Sequence, residues 1–206
     1  MSPKRERIDP MGTKRKGILF VISAPSGAGK TTLIGRVVRV LQGLSLSVSC
    51  TTRRPRPGEV HGKDYFFISM EEFQDMADKK MLLEWAMVHG MLYGTPASNL
   101  KVLDEGDDLV LDIDTQGATL IKRQIPDGVF IYIMPPSLKT LEDRLRARGG
   151  DSEEAVAIRL RNAEKELDHA GWYDYIIINK DIDEASKALQ SIIIAERSRA
   201  HRVLAS

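Results

Sequence analysis

The run Ala24-Pro25-Ser26-Gly27-Ala28-Gly29-Lys30-Thr31-Thr32 constrains this chain more than any other feature. A continuous apolar stretch over 18–22 precedes it. Leu33, Ile34, Val37, Val38 and Leu41 follow at helical spacing, with Gly43 as a stop. A buried strand, a glycine-rich turn and a helix start make a phosphate cradle, because successive backbone N–H groups converge on the anion at the positive end of the helix. Lys30 adds a point charge for the β- and γ-phosphates, and the Thr31 hydroxyl can hold Mg²⁺. The run therefore predicts a nucleoside triphosphate site. Ala24 stands where the usual pattern has glycine, which is compatible with the turn if its φ is negative.

The rest of the chain supports an α/β reading. Continuous apolar runs at 18–22, 109–111, 129–133 and 175–178 suit parallel strands covered on both faces. Helical patterns lie between or after them: one over 137–148, one opening at Asp151 with Glu154 as a capping acid, and one starting near Asp183. This alternation predicts a doubly wound parallel core, 17–43 and 101–197. Residues 44–100 break the rhythm. Leu44, Leu46, Val48 and Cys50 alternate with serines as one half-buried strand. A Pro-stiffened arginine loop follows, then a strand at 65–68, a capping box at Ser69 and Glu72, and short strands around Glu84 and Tyr93. The segment reads as a small antiparallel subdomain inserted into the core, a natural place for a second substrate.

Charge narrows the partners. The 206 residues carry a net +1, but residues 1–16 hold +4, which leaves −3 on the remainder. A basic tail on a mildly acidic body argues against a nucleic-acid-binding face. The tail lacks the apolar centre of a secretory signal and reads as disordered and solvated, while 198–206 form a C-terminal tail. No run approaches the roughly 18 apolar residues of a membrane span. With Cys50 as the only cysteine, the simplest reading is a soluble cytoplasmic protein, monomeric or homo-oligomeric.

Three sets of residues carry chemistry. Asp112 and Asp114 end an apolar strand, the place from which an acid reaches Mg²⁺ directly or through water; one is expected to face the metal and the other a second ligand. Arg144 and Arg148 share a helix face, and Arg159 follows beyond Gly149-Gly150. Two helices joined by glycines and carrying arginines, over about 137–168, form a candidate lid that brings guanidiniums to a transferring phosphoryl group. Arg53 and Arg56 are suited to a phosphate dianion, which a bidentate fork fits best. None of the four histidines sits in a triad pattern.

The chain resembles guanylate kinases over roughly 17–197. The resemblance rests on the phosphate loop from Ser23 to Lys30, the run from Ser47 to Arg56, Gly62-Lys63-Asp64-Tyr65, Glu84-Trp85, Tyr93-Gly94-Thr95, Leu111-Asp112-Ile113-Asp114 with Gln116-Gly117, and Arg148-Gly149. It implies an enzyme that transfers the ATP γ-phosphoryl group to GMP, or to dGMP, with Mg²⁺. It further implies that Arg53, Arg56, Tyr65 and Tyr93 hold the GMP phosphate, that Ser49, Glu84, Thr95 and Asp114 surround the guanine, that Arg144, Arg148 and Arg159 are lid arginines, and that Asn179 lies near the adenine. Leu92 departs from the tyrosine common in relatives, a change expected to affect packing. Two other functions fit the fold. One is a binding module that holds a protein in the GMP cleft; the other is a P-loop kinase for a different phosphorylated acceptor.

Overall fold

A computed structural model of the protein describes residues 15–88, 90–148, 152–168 and 170–204, with Arg148 through its backbone only. In chain order the elements are β1 (Leu19–Ser23), α1 (Lys30–Val40), β2 (Leu44–Leu46), β3 (Cys50–Thr51), β4 (Phe66–Phe67), α2 (Met70–Asp78), β5 (Leu82–Val88), β6 (Met91–Pro96), α3 (Lys101–Asp104), β7 (Asp108–Asp112), α4 (Thr115–Gln124), β8 (Val129–Met134), α5 (Leu138–Arg148), α6 (Glu153–Asp168), β9 (Tyr175–Ile178), α7 (Ile182–Arg197) and α8 (Ala200–Leu204).

Five strands form a parallel sheet in the order β2-β7-β1-β8-β9. Its register sets Val21 beside Leu111 and Phe130. Alternation sorts the apolar runs onto two faces. Phe20, Ile22, Ile131 and Ile133 pack with Leu33 and Val37 of α1 and Leu189 and Ile193 of α7. Leu19, Val21, Leu111 and Phe130 pack with Ala118 and Ile121 of α4. At about 1.5–3 kcal/mol per buried side chain of this kind, the two layers anchor the strands. Their carboxyl ends carry the phosphate loop after β1, Asp112 to Asp114 after β7, and Asn179 after β9, the edge on which open α/β sheets bind ligands.

The second sheet runs β4-β3-β6-β5. It is mixed rather than antiparallel throughout, because β4 pairs with β3 in parallel. The single alternating strand expected over 44–50 is divided. Leu44–Leu46 joins the core sheet against β7, and Cys50–Thr51 belongs to the second sheet. The serine alternation spanned two short strands, the core-sheet edge β2 and the buried, interior β3, not one continuous strand. Cys50, Phe73 and Leu92 form this sheet's small core, so Leu92 is a packing residue. The Ser69 box closes as expected: Ser69 Oγ accepts from Glu72 N at 3.0 Å, and Ser69 N donates to Glu72 Oε2 at 2.7 Å.

The helix pair α5 and α6 has an apolar cluster of its own, with Leu141, Leu145, Val156 and Ala163 buried. Ser152 rather than Asp151 caps α6, accepting from Ala155 N at 3.2 Å; Asp151 lies outside the described residues. Asp181 caps α7 by accepting from Asp183 N and Glu184 N, which starts that helix at Ile182. The reading of 1–16 as a solvated tail does not hold for Arg15, and 1–14 lie outside the described residues. Fully buried Asp108 pairs with Arg15 and, at 2.7 Å, with Arg197, and it accepts from Ile18 N at 2.8 Å. A carboxylate at the start of a core strand needs that compensation, because an unpaired buried charge is costly. Nor is 198–206 all tail: α8 forms there, and Arg202 pairs with Glu196 at 3.3 Å. No described helix is long and apolar enough to cross a membrane.

Candidate active site

The phosphate loop forms as its glycines require. Gly27 and Gly29 have φ of 92° and 91°, and a Cβ on Gly29 would lie 2.5 Å from Asn179 Nδ2. Ala24 is buried, and Lys80 is the only described non-glycine with positive φ, so alanine is tolerated at the turn's first position. Lys30 Nζ pairs with Asp112 Oδ1 at 2.7 Å and donates to Ile113 O at 2.6 Å; Thr31 Oγ1 donates to Asp112 Oδ2 at 3.2 Å. Asp112 thus faces the loop. Asp114 turns elsewhere, capping α4 by accepting from Gly117 N at 2.8 Å. Two residues apart, the aspartates would share a face of an extended strand; they diverge because β7 ends at Asp112 and Asp114 is already the cap of α4. Pro25 is buried, whereas Ser26 and Thr32 are exposed.

Asn179, expected near the adenine, and Arg144, expected as a lid arginine, both hydrogen-bond at the phosphate loop. Asn179 is 3% exposed, and its amide donates to Ala28 O at 2.7 Å. Arg144 donates to Asn179 O at 3.0 Å and, more weakly, to Ala28 O at 3.5 Å. Arg159 reaches the loop from α6, its Nη1 donating to Ser26 Oγ at 2.9 Å. The side chain of Arg148 lies outside the described residues.

A cleft of about 630 Å³ separates this loop from the second sheet, lined among others by Lys30, Asp112, Ser49, Tyr65, Glu84 and Tyr93. Glu84 is 7% exposed, and Thr95 Oγ1 donates to its Oε1 at 2.6 Å. Burial, opposed by the Thr95 hydrogen bond and reinforced by the Asp114 charge, pushes the Glu84 carboxyl up to about 7. Gly117 makes room for this carboxylate, since a Cβ there would lie 2.8 Å from Glu84 Oε2. Buried Cys50 donates to Gly94 O at 3.2 Å, and burial raises its thiol to about 11, which makes it no nucleophile.

Arg53 differs from the expected open fork. Its Nη1 and Nη2 donate to Glu59 Oε2 and Oε1 at 2.9 and 2.8 Å, Nη1 also to Arg54 O at 2.8 Å, and Nε to Tyr93 OH at 3.2 Å. Only the second Nη2 hydrogen is left over, so the bidentate face is already taken by a carboxylate of the same loop. The guanidinium lies 5.5 Å from the Tyr65 ring centre, and the Tyr65 and Tyr93 rings are 5.9 Å apart. Arg56 is exposed; its backbone N donates to Glu59 Oε2 at 2.7 Å.

Sequence reasoning missed Glu59, Gly117 and Glu166. Glu59 had a signal in the turn Arg56-Pro57-Gly58-Glu59, whose Gly58 has φ of 88° and whose Glu59 N donates to Arg56 O at 3.1 Å. Gly117 stood inside a quoted motif without a reason attached. Glu166 lies seven residues past Arg159, on the same face of α6.

Known proteins match this chain over most of its length. The sequence model of the guanylate kinase family matches residues 16–196. The chain is 50% identical over 195 residues to a guanylate kinase of Geobacter metallireducens, covering 93% of this chain and 95% of the relative. It is 48% identical to one of Caldanaerobacter subterraneus, covering 93% and 94%. The crystal structure of guanylate kinase from Anaplasma phagocytophilum superposes with a TM-score of 0.76 at 34% identity, over 92% of this chain and 90% of that one.

Proposed function

The chain belongs to the guanylate kinase family, and from that premise we propose how its residues divide the family's reaction. The protein is an ATP:GMP phosphotransferase: the γ-phosphoryl group of ATP passes to the phosphate of GMP, giving ADP and GDP.

The observation that carries the division of labour is the buried Glu84 carboxylate, held by Thr95 across the cleft from Lys30. Guanine offers N1–H and N2–H₂ donors side by side, which a carboxylate accepts as a pair, and its O6 accepts from a hydroxyl. Glu84, Thr95, Ser49 and Asp114 accordingly take the base. Adenine has a lone pair at N1 and no N2 amine, so it leaves the buried carboxylate unpaired, a penalty of roughly 10⁴-fold. Arg56, Tyr65, Tyr93 and the remaining Arg53 hydrogen take the GMP phosphate. The same pocket accepts dGMP wherever no contact depends on the sugar hydroxyls.

The loop 24–32 holds the ATP phosphates, with Lys30 moving from Asp112 to the β/γ-phosphates. Asn179 and Arg144 brace the loop. Arg148 and Arg159 close over the transferring group on the helix pair α5 and α6. No general base is needed, because a phosphate monoester is already largely dianionic at pH 7, with its second pKa near ~6. The protein's task is to align the two nucleotides and neutralise their charge.

The Thr31 hydroxyl and Asp112 carboxylate, adjacent at the loop, suit Mg²⁺, a hard cation that takes few protein oxygens and keeps its remaining positions for water and phosphate. They would hold the ion directly or through water. Bound there, it supplies positive charge to the β- and γ-phosphate oxygens. A small-molecule reaction of this kind belongs in the cytoplasm and requires neither nucleic acid nor a membrane.

The test is a coupled ADP-release assay with ATP-Mg²⁺ and each nucleoside monophosphate in turn. GMP supports turnover, with AMP lower in kcat/KM by roughly 10³-fold or more. Comparable turnover with AMP overturns the assignment of Glu84.

A further inference from the structure

Glu166 stands in the cleft without a partner among the described residues. It lines the cavity from α6, together with Arg159 and Asn162. Arg159, Asn162 and Glu166 recur at steps of three and four residues and therefore share one helical face. Arg159 is engaged with Ser26 Oγ at 2.9 Å, whereas no hydrogen bond or ion pair to a described residue involves the Glu166 carboxylate. The side chain is partly buried, and its carboxyl is pushed up to about 7, first by burial and then by the Asp114 charge, with Lys30 opposing. An unpaired carboxylate held half out of water at a substrate cleft has a standing desolvation cost that a ligand donor removes.

The identity of that donor follows from what the acceptor nucleotide has left, and this step rests on the placement of GMP described under Proposed function. The guanine edge is matched by Glu84 and Thr95, and the phosphate by the Arg53 and Tyr93 side of the insert. The donors remaining on a nucleoside monophosphate are the sugar hydroxyls. The Glu166 side chain lines the same cleft as Asp114, at the base end, and Lys30, at the transfer end. It therefore lies over the middle of the acceptor, where the sugar must sit. We propose that Glu166 accepts a hydrogen bond from a ribose hydroxyl of GMP, making α6 the element that reads the sugar while the inserted sheet reads base and phosphate. Closure of the helix pair over the cleft is then sensed by the acceptor through its ribose as well as through its phosphate.

The experiment crosses protein variants with substrate hydroxyls. Full-length wild type, Glu166→Ala and Glu166→Gln are assayed with GMP, 2′-deoxy-GMP and 3′-deoxy-GMP at saturating ATP-Mg²⁺. Wild type prefers GMP over one of the two deoxy analogues by about tenfold in kcat/KM, as expected for one hydrogen bond to a charged acceptor. Glu166→Ala abolishes that preference by raising the KM for GMP, and leaves the KM for the analogue and for ATP unchanged. Glu166→Gln recovers part of the preference, because its carbonyl oxygen still accepts from a hydroxyl; it also carries the test if the alanine variant fails to fold. Equal losses on GMP and both analogues would show a structural role and overturn the proposal. So would a wild type that does not distinguish GMP from either analogue. Glu84→Gln in the same plates separates this from a wrong placement of the nucleotide. If it leaves the GMP-over-AMP ratio intact, the placement fails; if the ratio collapses while the ribose preference ignores Glu166, only the sugar assignment fails.

Discussion

Replacing Glu84 with glutamine has two consequences of opposite sign. The side chain keeps its volume, and its amide oxygen can still accept from Thr95 Oγ1, which now holds the carboxylate at 2.6 Å. The amide NH₂ then faces the N1–H and N2–H₂ donors of guanine. Two charge-assisted hydrogen bonds, worth about 1.5–3 kcal/mol each, are exchanged for a clash of donors. The expected loss in kcat/KM for GMP is about 10²–10⁴-fold, with the KM for ATP unchanged and the GMP-over-AMP ratio reduced in proportion.

Stability of the unliganded protein moves the other way. Glu84 is 7% exposed, and its carboxyl is raised from 4.5 to about 7, mainly by burial. The folded state therefore holds the proton more tightly than the unfolded chain, and stability falls as pH rises from the unfolded value to the folded one. Above pH 7 the ionised carboxylate costs at most about 3 kcal/mol, at 1.36 kcal/mol per pKa unit. Glu84→Gln removes this cost, so the variant melts higher than wild type at pH 8, by up to about 6–10 °C, and the gap closes at pH 4.5. Thermal melts at both pH values, beside initial rates with GMP and AMP, test both arms. An unchanged GMP-over-AMP ratio, or a melting difference that ignores pH, refutes the reasoning.

Lys30→Ala is expected to cut kcat by about 10²–10³-fold while the melting temperature stays near that of wild type; near-normal turnover removes the phosphate loop from the mechanism. Glu59→Gln weakens the ion pair that holds Arg53 with its remaining hydrogen available to the GMP phosphate, and is expected to raise the KM for GMP by about tenfold without changing that for ATP, a result steady-state kinetics with each substrate varied can check. Arg15→Ala leaves buried Asp108 with Arg197 as its remaining cation; a loss of about 1–3 kcal/mol should appear in urea melts, with turnover at 25 °C unaffected.

Local patterns made much of this protein legible. The phosphate loop could be read because its chemistry is backbone chemistry: Gly27 and Gly29 need positive φ, and the residues on either side spell a strand and a helix. The apolar runs identified the central strands for the same reason, since burial on both faces leaves no polar position to interrupt them. The capping box at Ser69 follows from a spacing of three residues, whereas Asp112 and Asp114, two apart, diverge only because the strand ends between them.

What spacing could not decide was which partner a side chain chooses across the fold. Only the tertiary structure gives the Arg53 fork to Glu59, puts Asn179 and Arg144 against the loop, buries Asp108 between Arg15 and Arg197, and splits 44–51 between two sheets. The local code reports which groups a residue can satisfy. Desolvation settles which group it meets, because each buried donor, acceptor or charge must be matched by whatever the packed chain brings within reach, however distant in sequence. By its sequence alone the chain was committed to a triphosphate loop on a parallel α/β sheet and resembled a kinase of GMP. Its tertiary structure decided which of the expected site residues face the cleft and which hold the loop in place.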